Sequence, residues 1–169
     1  MSTRVGVNVF THSVTHVTGE MIGSLKKIIS WSGLSIFNLT NKWDSVERAI
    51  HTWISSRHLT KVTLEIYSPT SGDLVTRWDF EIDYSYSAGD DGSLWADHEA
   101  IRNAIAKAGA VAADCKYEFI MKHDPGAPAV DGWGPRDYRS TAGFNQHSVG
   151  TTIGAYGLGS STSFWRKAS

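Results

Sequence analysis

Leu74-Val75-Thr76-Arg77-Trp78-Asp79-Phe80-Glu81-Ile82-Asp83-Tyr84-Ser85-Tyr86 is the stretch that decides the fold class. Leu74, Thr76, Trp78, Phe80, Ile82, Tyr84 and Tyr86 fall on one side of an extended chain. Val75, Arg77, Asp79, Glu81, Asp83 and Ser85 fall on the other. A period of two over thirteen residues predicts an antiparallel strand with one covered and one polar face. Upstream, Val62, Leu64 and Ile66 alternate with Thr63, Glu65 and Tyr67. The intervening Ser68-Pro69-Thr70-Ser71-Gly72-Asp73 has turn chemistry, so the two runs predict a hairpin.

Helical periods flank the hairpin. Val14, Val17, Met21, Leu25 and Ile28 or Ile29 recur at steps of three and four. Ser13 is placed to cap the start and Gly33 to end it. Asp44 and Glu47 have capping-box spacing ahead of Val46, Ile50, Trp53 and Ile54, which predicts a second helix ending near Arg57-His58. After a turn at Asp90-Asp91-Gly92, Leu94, His98, Ile101, Ile105 and Ala108 predict a third, stopped by Gly109. Tyr117, Phe119 and Met121 then alternate with Glu118, Ile120 and Lys122 as one more strand. Residues 1–12 are polar with a short alternation at Val5, Val7 and Val9, the pattern of an edge strand or an arm.

The composition changes at residue 123. The last 47 residues hold eight of the sixteen glycines and three of the four prolines, without a helical period. They still carry Trp133, Tyr138, Phe144, Val149, Ile153, Tyr156, Leu158, Phe164 and Trp165, an apolar load that a solvated linker would not bear. The 169 residues suffice for one core, and 41% hydrophobic with 20% charged residues is globular composition. A formal net charge of −1 gives no bulk attraction to nucleic acid or an anionic membrane. The single cysteine, Cys115, excludes an internal disulfide. With no signal peptide or spanning segment in the sequence, a cytoplasmic protein is expected.

Catalytic chemistry is sparse. His12, His16 and Glu20 have the spacing of a helical metal site but lack the HExxH pattern. Exposed polar residues at a helix start are the reading expected for them, since a tight metal site needs closed geometry and a second shell. Cys115 has no local nucleophile signature and is expected as a small buried hydrophobe. Asp79, Glu81 and Asp83 share a strand face with Arg77 and are expected as a solvated acidic face. Gly154, Gly157 and Gly159 lack the lysine and helix of a phosphate loop. Trp43, Trp53, Trp78 and Trp95 lie on or beside apolar faces, whereas Trp133 and Trp165 lie in the final segment, free to serve a partner.

This order of elements resembles the HORMA fold. At residue level the similarity is to the bacterial HORMA proteins of CBASS anti-phage operons. It is carried by Thr11-His12-Ser13-Val14-Thr15, Arg48-Ala49-Ile50-His51-Thr52-Trp53, Leu64-Glu65-Ile66-Tyr67, Leu74-Val75-Thr76-Arg77-Trp78-Asp79, Gly132-Trp133, Tyr138-Arg139-Ser140-Thr141 and Trp165-Arg166, and spans nearly the whole chain. The resemblance implies an α/β (α+β) architecture, a mainly antiparallel sheet with three helices packed on it. One domain over 1–169 is divided into an N-terminal arm (1–12), a core (13–122) and a C-terminal safety belt (123–169).

It also implies a signalling adaptor and not an enzyme, needing no cofactor and no metal. The belt captures a closure-motif peptide from another protein, and the closed form binds and activates a cGAS/DncV-like nucleotidyltransferase that makes cyclic oligonucleotides. An AAA+ remodelling ATPase pulls on the N-terminal segment, for which Val5, Val7 and Val9 are the expected handle. Tyr117, Phe119, Met121, Trp133, Tyr138, Tyr156 and Trp165 are the expected lining of the peptide site. Two other readings stay open from the sequence: a small metal-dependent hydrolase using His12, His16 and Glu20, and a structural subunit that does not switch.

Overall fold

The computed structural model describes residues 2–38, 43–86 and 94–168, with side chains from Phe10 onward. Among the described residues three helices, α1 (Ser2–Trp31), α2 (Trp43–Ser55) and α3 (His98–Ala108), lie with six strands: β1 (Leu59–Tyr67), β2 (Leu74–Asp83), β3 (Trp95–Ala96), β4 (Lys116–His123), β5 (Phe144–Ala155) and β6 (Leu158–Lys167). All the strand pairings are antiparallel, in the order β3-β5-β6-β2-β1-β4.

Register parity divides the sheet into two faces. Val62 stands opposite Phe80 and Met121, and Leu64 opposite Trp78 and Phe119; these residues face the helices. They meet Val17, Met21, Leu25 and Ile28 of α1 and Ile50, Trp53 and Ile54 of α2 in one core. Each fully buried large side chain there contributes about 1.5–3 kcal/mol of transfer free energy.

Three expectations change. Residues 2–12 are helical and continuous with α1, not an edge strand or arm. Ser13 is therefore no cap; it is buried in mid-helix, where its hydroxyl donates to the Tyr156 carbonyl at 2.8 Å. Leu94 precedes α3, which starts at His98 behind an Asp97 cap whose carboxylate accepts from the Ala100 N–H at 2.9 Å. The turn expected at Asp90-Asp91-Gly92 lies outside the described residues.

The third change is the polar side of the hairpin. Thr63, Glu65, Arg77 and Asp79 are each buried, although Glu81 and Asp83 stay largely outside the core. The middle of this face is covered by the C-terminal segment and survives burial because its charges are paired. Asp79 Oδ1 accepts from Thr63 Oγ1 at 2.6 Å and Arg77 Nε at 3.0 Å, and Asp79 Oδ2 accepts from Trp165 Nε1 at 3.0 Å. The final segment itself is half irregular and half sheet. β5 and β6 form a hairpin that docks on β2, and β3 closes its outer side.

Candidate functional site: a loop around the free edge of the sheet

With the β5–β6 hairpin on β2, the outer edge of β4 has no strand partner among the described residues. Alternate N–H and C=O groups along Lys116–His123 therefore point away from the sheet, a template for an added strand. The chain that follows β4 encircles this edge. The Asp124 N–H donates to the His58 carbonyl, and Trp53 Nε1 donates to the Pro128 carbonyl at 2.6 Å. Val130 is buried, and the Trp133 indole donates to the Ser45 carbonyl and hydroxyl. This limb runs alongside α2, on the helix side.

Three residues past Trp133 the chain is on the opposite face. Arg136 Nη2 pairs with Glu118 Oε2 at 2.7 Å. Arg139 forms the main anchor. Its backbone N–H donates to Glu65 Oε2 at 2.9 Å and its Nη1 to Glu65 Oε1 at 2.8 Å. The same guanidinium contacts Glu118 Oε1, donates through Nε to the Gly72 carbonyl, and lies 3.7 Å from the Tyr67 ring centroid. Glu65 is 0% exposed, so the pair is compensated within the protein and not by water. Burial works to lower the Arg139 pKa, but the hydrogen bonds and charges of Glu118 and Glu65 outweigh it and hold it above its ordinary value.

Between β4 and the returning limb lies a cleft of about 340 Å³, lined by Ile120, Met121, Lys122, His123, Pro135, Arg136, Asp137 and Tyr138. Tyr138 sits under two cations, with Arg77 4.2 Å and Lys61 4.9 Å from its ring centroid.

The expected lining residues do not all meet here. Tyr138 and Met121 line the cleft. Tyr117 and Phe119 face the helices instead: the Tyr117 hydroxyl donates to the Ser35 carbonyl, and Phe119 packs edge-on against Trp43. Trp133 anchors the first limb to α2. Trp165 lies on the covered polar face beside Arg77 and Asp79. Tyr156 is exposed at the tip of the β5–β6 hairpin. The side chains of Val5, Val7 and Val9 lie outside the described residues, and their backbone is helix.

Sequence reasoning missed Glu65, Glu118, Arg136 and Arg139. Their signal was an acid inside an apolar strand run, Leu64-Glu65-Ile66, which demands a cation from elsewhere. The hydrolase arrangement does not form. His16 Nε2 is 2.9 Å from the Trp95 carbonyl, Glu20 pairs with His98 at 2.8 Å, and His12 is exposed. Among the described residues no group of three or more His, Cys, Asp or Glu could hold a metal ion, and no helix is long and apolar enough to cross a membrane.

Known structures share this architecture. A chain of the mitotic checkpoint complex superposes with a TM-score of 0.68 at 14% identity, covering 93% of this chain and 99% of that one. The HORMA-deltaN protein of E. coli MS115-1, solved in complex with CdnC, gives 0.59 at 8% identity, covering 94% and 90%. C. elegans HTP-2 bound to the HTP-3 closure motif 1 gives 0.54 at 14% identity, covering 74% and 64%. At these identities the likeness concerns the fold. Among curated proteins no sequence matches. The family described as Bacterial HORMA domain 2 matches residues 1–168, and the chain belongs to that family.

Proposed function

We propose that this chain is an adaptor that captures a short extended peptide as an added strand on β4, beneath the loop of residues 124–143. In that state it binds and activates a cGAS/DncV-like cyclic oligonucleotide synthase in anti-phage defence, and an AAA+ ATPase acting on the start of α1 reopens it. The observation that carries the proposal is the free edge of β4 encircled by a loop whose two limbs are anchored on opposite faces of the sheet. Backbone pairing supplies affinity in such a site, and alternate side-chain contacts supply specificity. The bound closure motif on HTP-2 and the CdnC complex of the E. coli protein are the precedents in the same fold.

Panning a displayed library of random nine-residue peptides on the full chain tests the first step. Bound peptides should slow amide exchange at residues 116–123 and 124–143, and N-methylation of alternate peptide amides should abolish binding. Selected peptides that protect neither segment would refute strand capture. Adding peptide-loaded protein to a cGAS/DncV-like nucleotidyltransferase that forms a complex with it should raise synthesis of cyclic product. An unchanged rate would refute the adaptor role. Deleting residues 123–169 is a poor substitute, because that removes β5 and β6 together with the loop.

A further inference from the structure

The cleft has a chemical preference of its own. The face of β4 turned toward the returning limb reads Lys116, Glu118, Ile120, Lys122, from their register with Tyr67, Glu65, Thr63 and Lys61. Glu118 is neutralised by Arg136 and Arg139. Ile120 is buried. Lys116 and Lys122 are exposed, and neither forms an ion pair among the described residues. Lys61 stands opposite Lys122 on β1, its ammonium over the Tyr138 ring. Asp137 is the acid in the cleft lining. The Tyr138 hydroxyl is buried with no hydrogen-bond partner, so a donor beside the cleft lacks an acceptor. On the other face of β4, Met121 reaches the cleft as a second apolar contact.

A strand laid against β4 places its side chains opposite these residues, with alternate positions on alternate faces. We infer that the captured peptide is acidic and apolar: a carboxylate opposite Lys122, and an apolar side chain two residues away opposite Ile120. A second apolar residue between them, on the other face, meets Met121. Either chain direction satisfies this pattern, because the three host positions are consecutive. The inference rests on strand capture at β4. It goes further by naming the partner as a segment with an acid two residues from an aliphatic or aromatic residue. The same lysines repel a basic segment of equal hydrophobicity, which gives the site discrimination as well as affinity.

The peptides selected above supply the probe. Each binder that protects residues 116–123 is resynthesised with its acid as Glu, Gln or Lys, and titrated by fluorescence anisotropy against the intact chain and its Lys122→Glu and Lys122→Gln forms. Lys122 is exposed on an edge strand, so neither change threatens folding. The Glu peptide should bind Lys122→Gln about fivefold and Lys122→Glu about tenfold more weakly than the unaltered chain, the scale of a lost and then reversed ion pair. The Lys peptide should reverse that order, and raised salt should flatten the differences. Binders that protect β4 but show no acid enrichment, or ignore the charge at position 122, overturn this inference and leave strand capture standing. A selection in which no binder protects β4 overturns both.

Discussion

Replacing Arg139 by alanine should release the returning limb of the loop while leaving the core folded. The substitution removes three side-chain hydrogen bonds to Glu65, Glu118 and the Gly72 carbonyl, and a cation stacked on Tyr67. The largest consequence falls on Glu65, a fully buried carboxylate left with the backbone N–H of residue 139 as its donor in the loop. Breaking one partner out of a buried pair costs about 3–5 kcal/mol. The guanidinium and Glu118 are each about a fifth exposed, so the lower end applies, about 3 kcal/mol. If that loss is confined to the loop, its opening equilibrium rises about a hundredfold. Amide exchange is the assay: residues 124–143 should accelerate by about that factor while β1 and β2 keep their protection. Glu65→Gln supplies the control. Added to Arg139→Ala it removes the stranded charge, so the double variant should be more stable than Arg139→Ala alone. Unchanged exchange in the loop, or strictly additive losses, would refute the view that this ion cluster holds the loop on the sheet.

Further outcomes follow from the same geometry. A Cβ at Gly154 would come within 2.2 Å of the Trp95 indole, so Gly154→Ala should lower Tm by several degrees, and Trp95→Ala in that background should recover part of the loss. No recovery would mean that the recess is not what seats the indole. Burial pushes the Cys115 thiol up, helped by the charge of Asp114, so alkylation at pH 8 should be much slower than for a free cysteine; equal rates would place the thiol in water. Burial also raises the Tyr84 and Tyr117 hydroxyls. Their protons leave the unfolded chain from about pH 10 but stay on the folded one, so stability should fall as pH climbs above 10; a flat denaturation midpoint from pH 9 to 11 would contradict this. Removing residues 1–12 should block ATPase-driven opening while peptide capture persists, and unchanged disassembly would refute a handle there.

The two strands of the central hairpin and the apolar faces of all three helices were legible because each repeats its own period in consecutive residues. Leu74–Tyr86 alternates without a break, although the strand itself stops at Asp83, and Val14–Ile29 keeps helical steps. What local pattern could not reveal was which face of a strand the rest of the chain covers. Asp79 and Arg77 read as solvated because alternation puts them opposite the core, yet Tyr138 and Trp165, far downstream in the chain, cover them. Tyr117 and Phe119 read as peptide-site residues because they are aromatic and lie on the edge strand. Register with Ile66 and Leu64 turns them to the helices, and Ile120 and Lys122 face the loop instead. Residues 2–12 failed differently: Gly6 and the valines weaken any local helix signal, and continuity with α1 overrides it.

The loop around β4 also sets a limit on kinetics. A chain threaded between that edge and residues 124–143 is enclosed on both sides, since the enclosure is fastened to α2 at one end and to the sheet at the other. Sliding out sideways is barred, so a segment captured as proposed and flanked by folded protein, which bars lengthwise withdrawal too, escapes when the host unfastens one end. Residence time then depends on the protein's own opening rate more than on the ligand's grip. Ligands of very different strength would depart at similar speeds, like keys behind the same door.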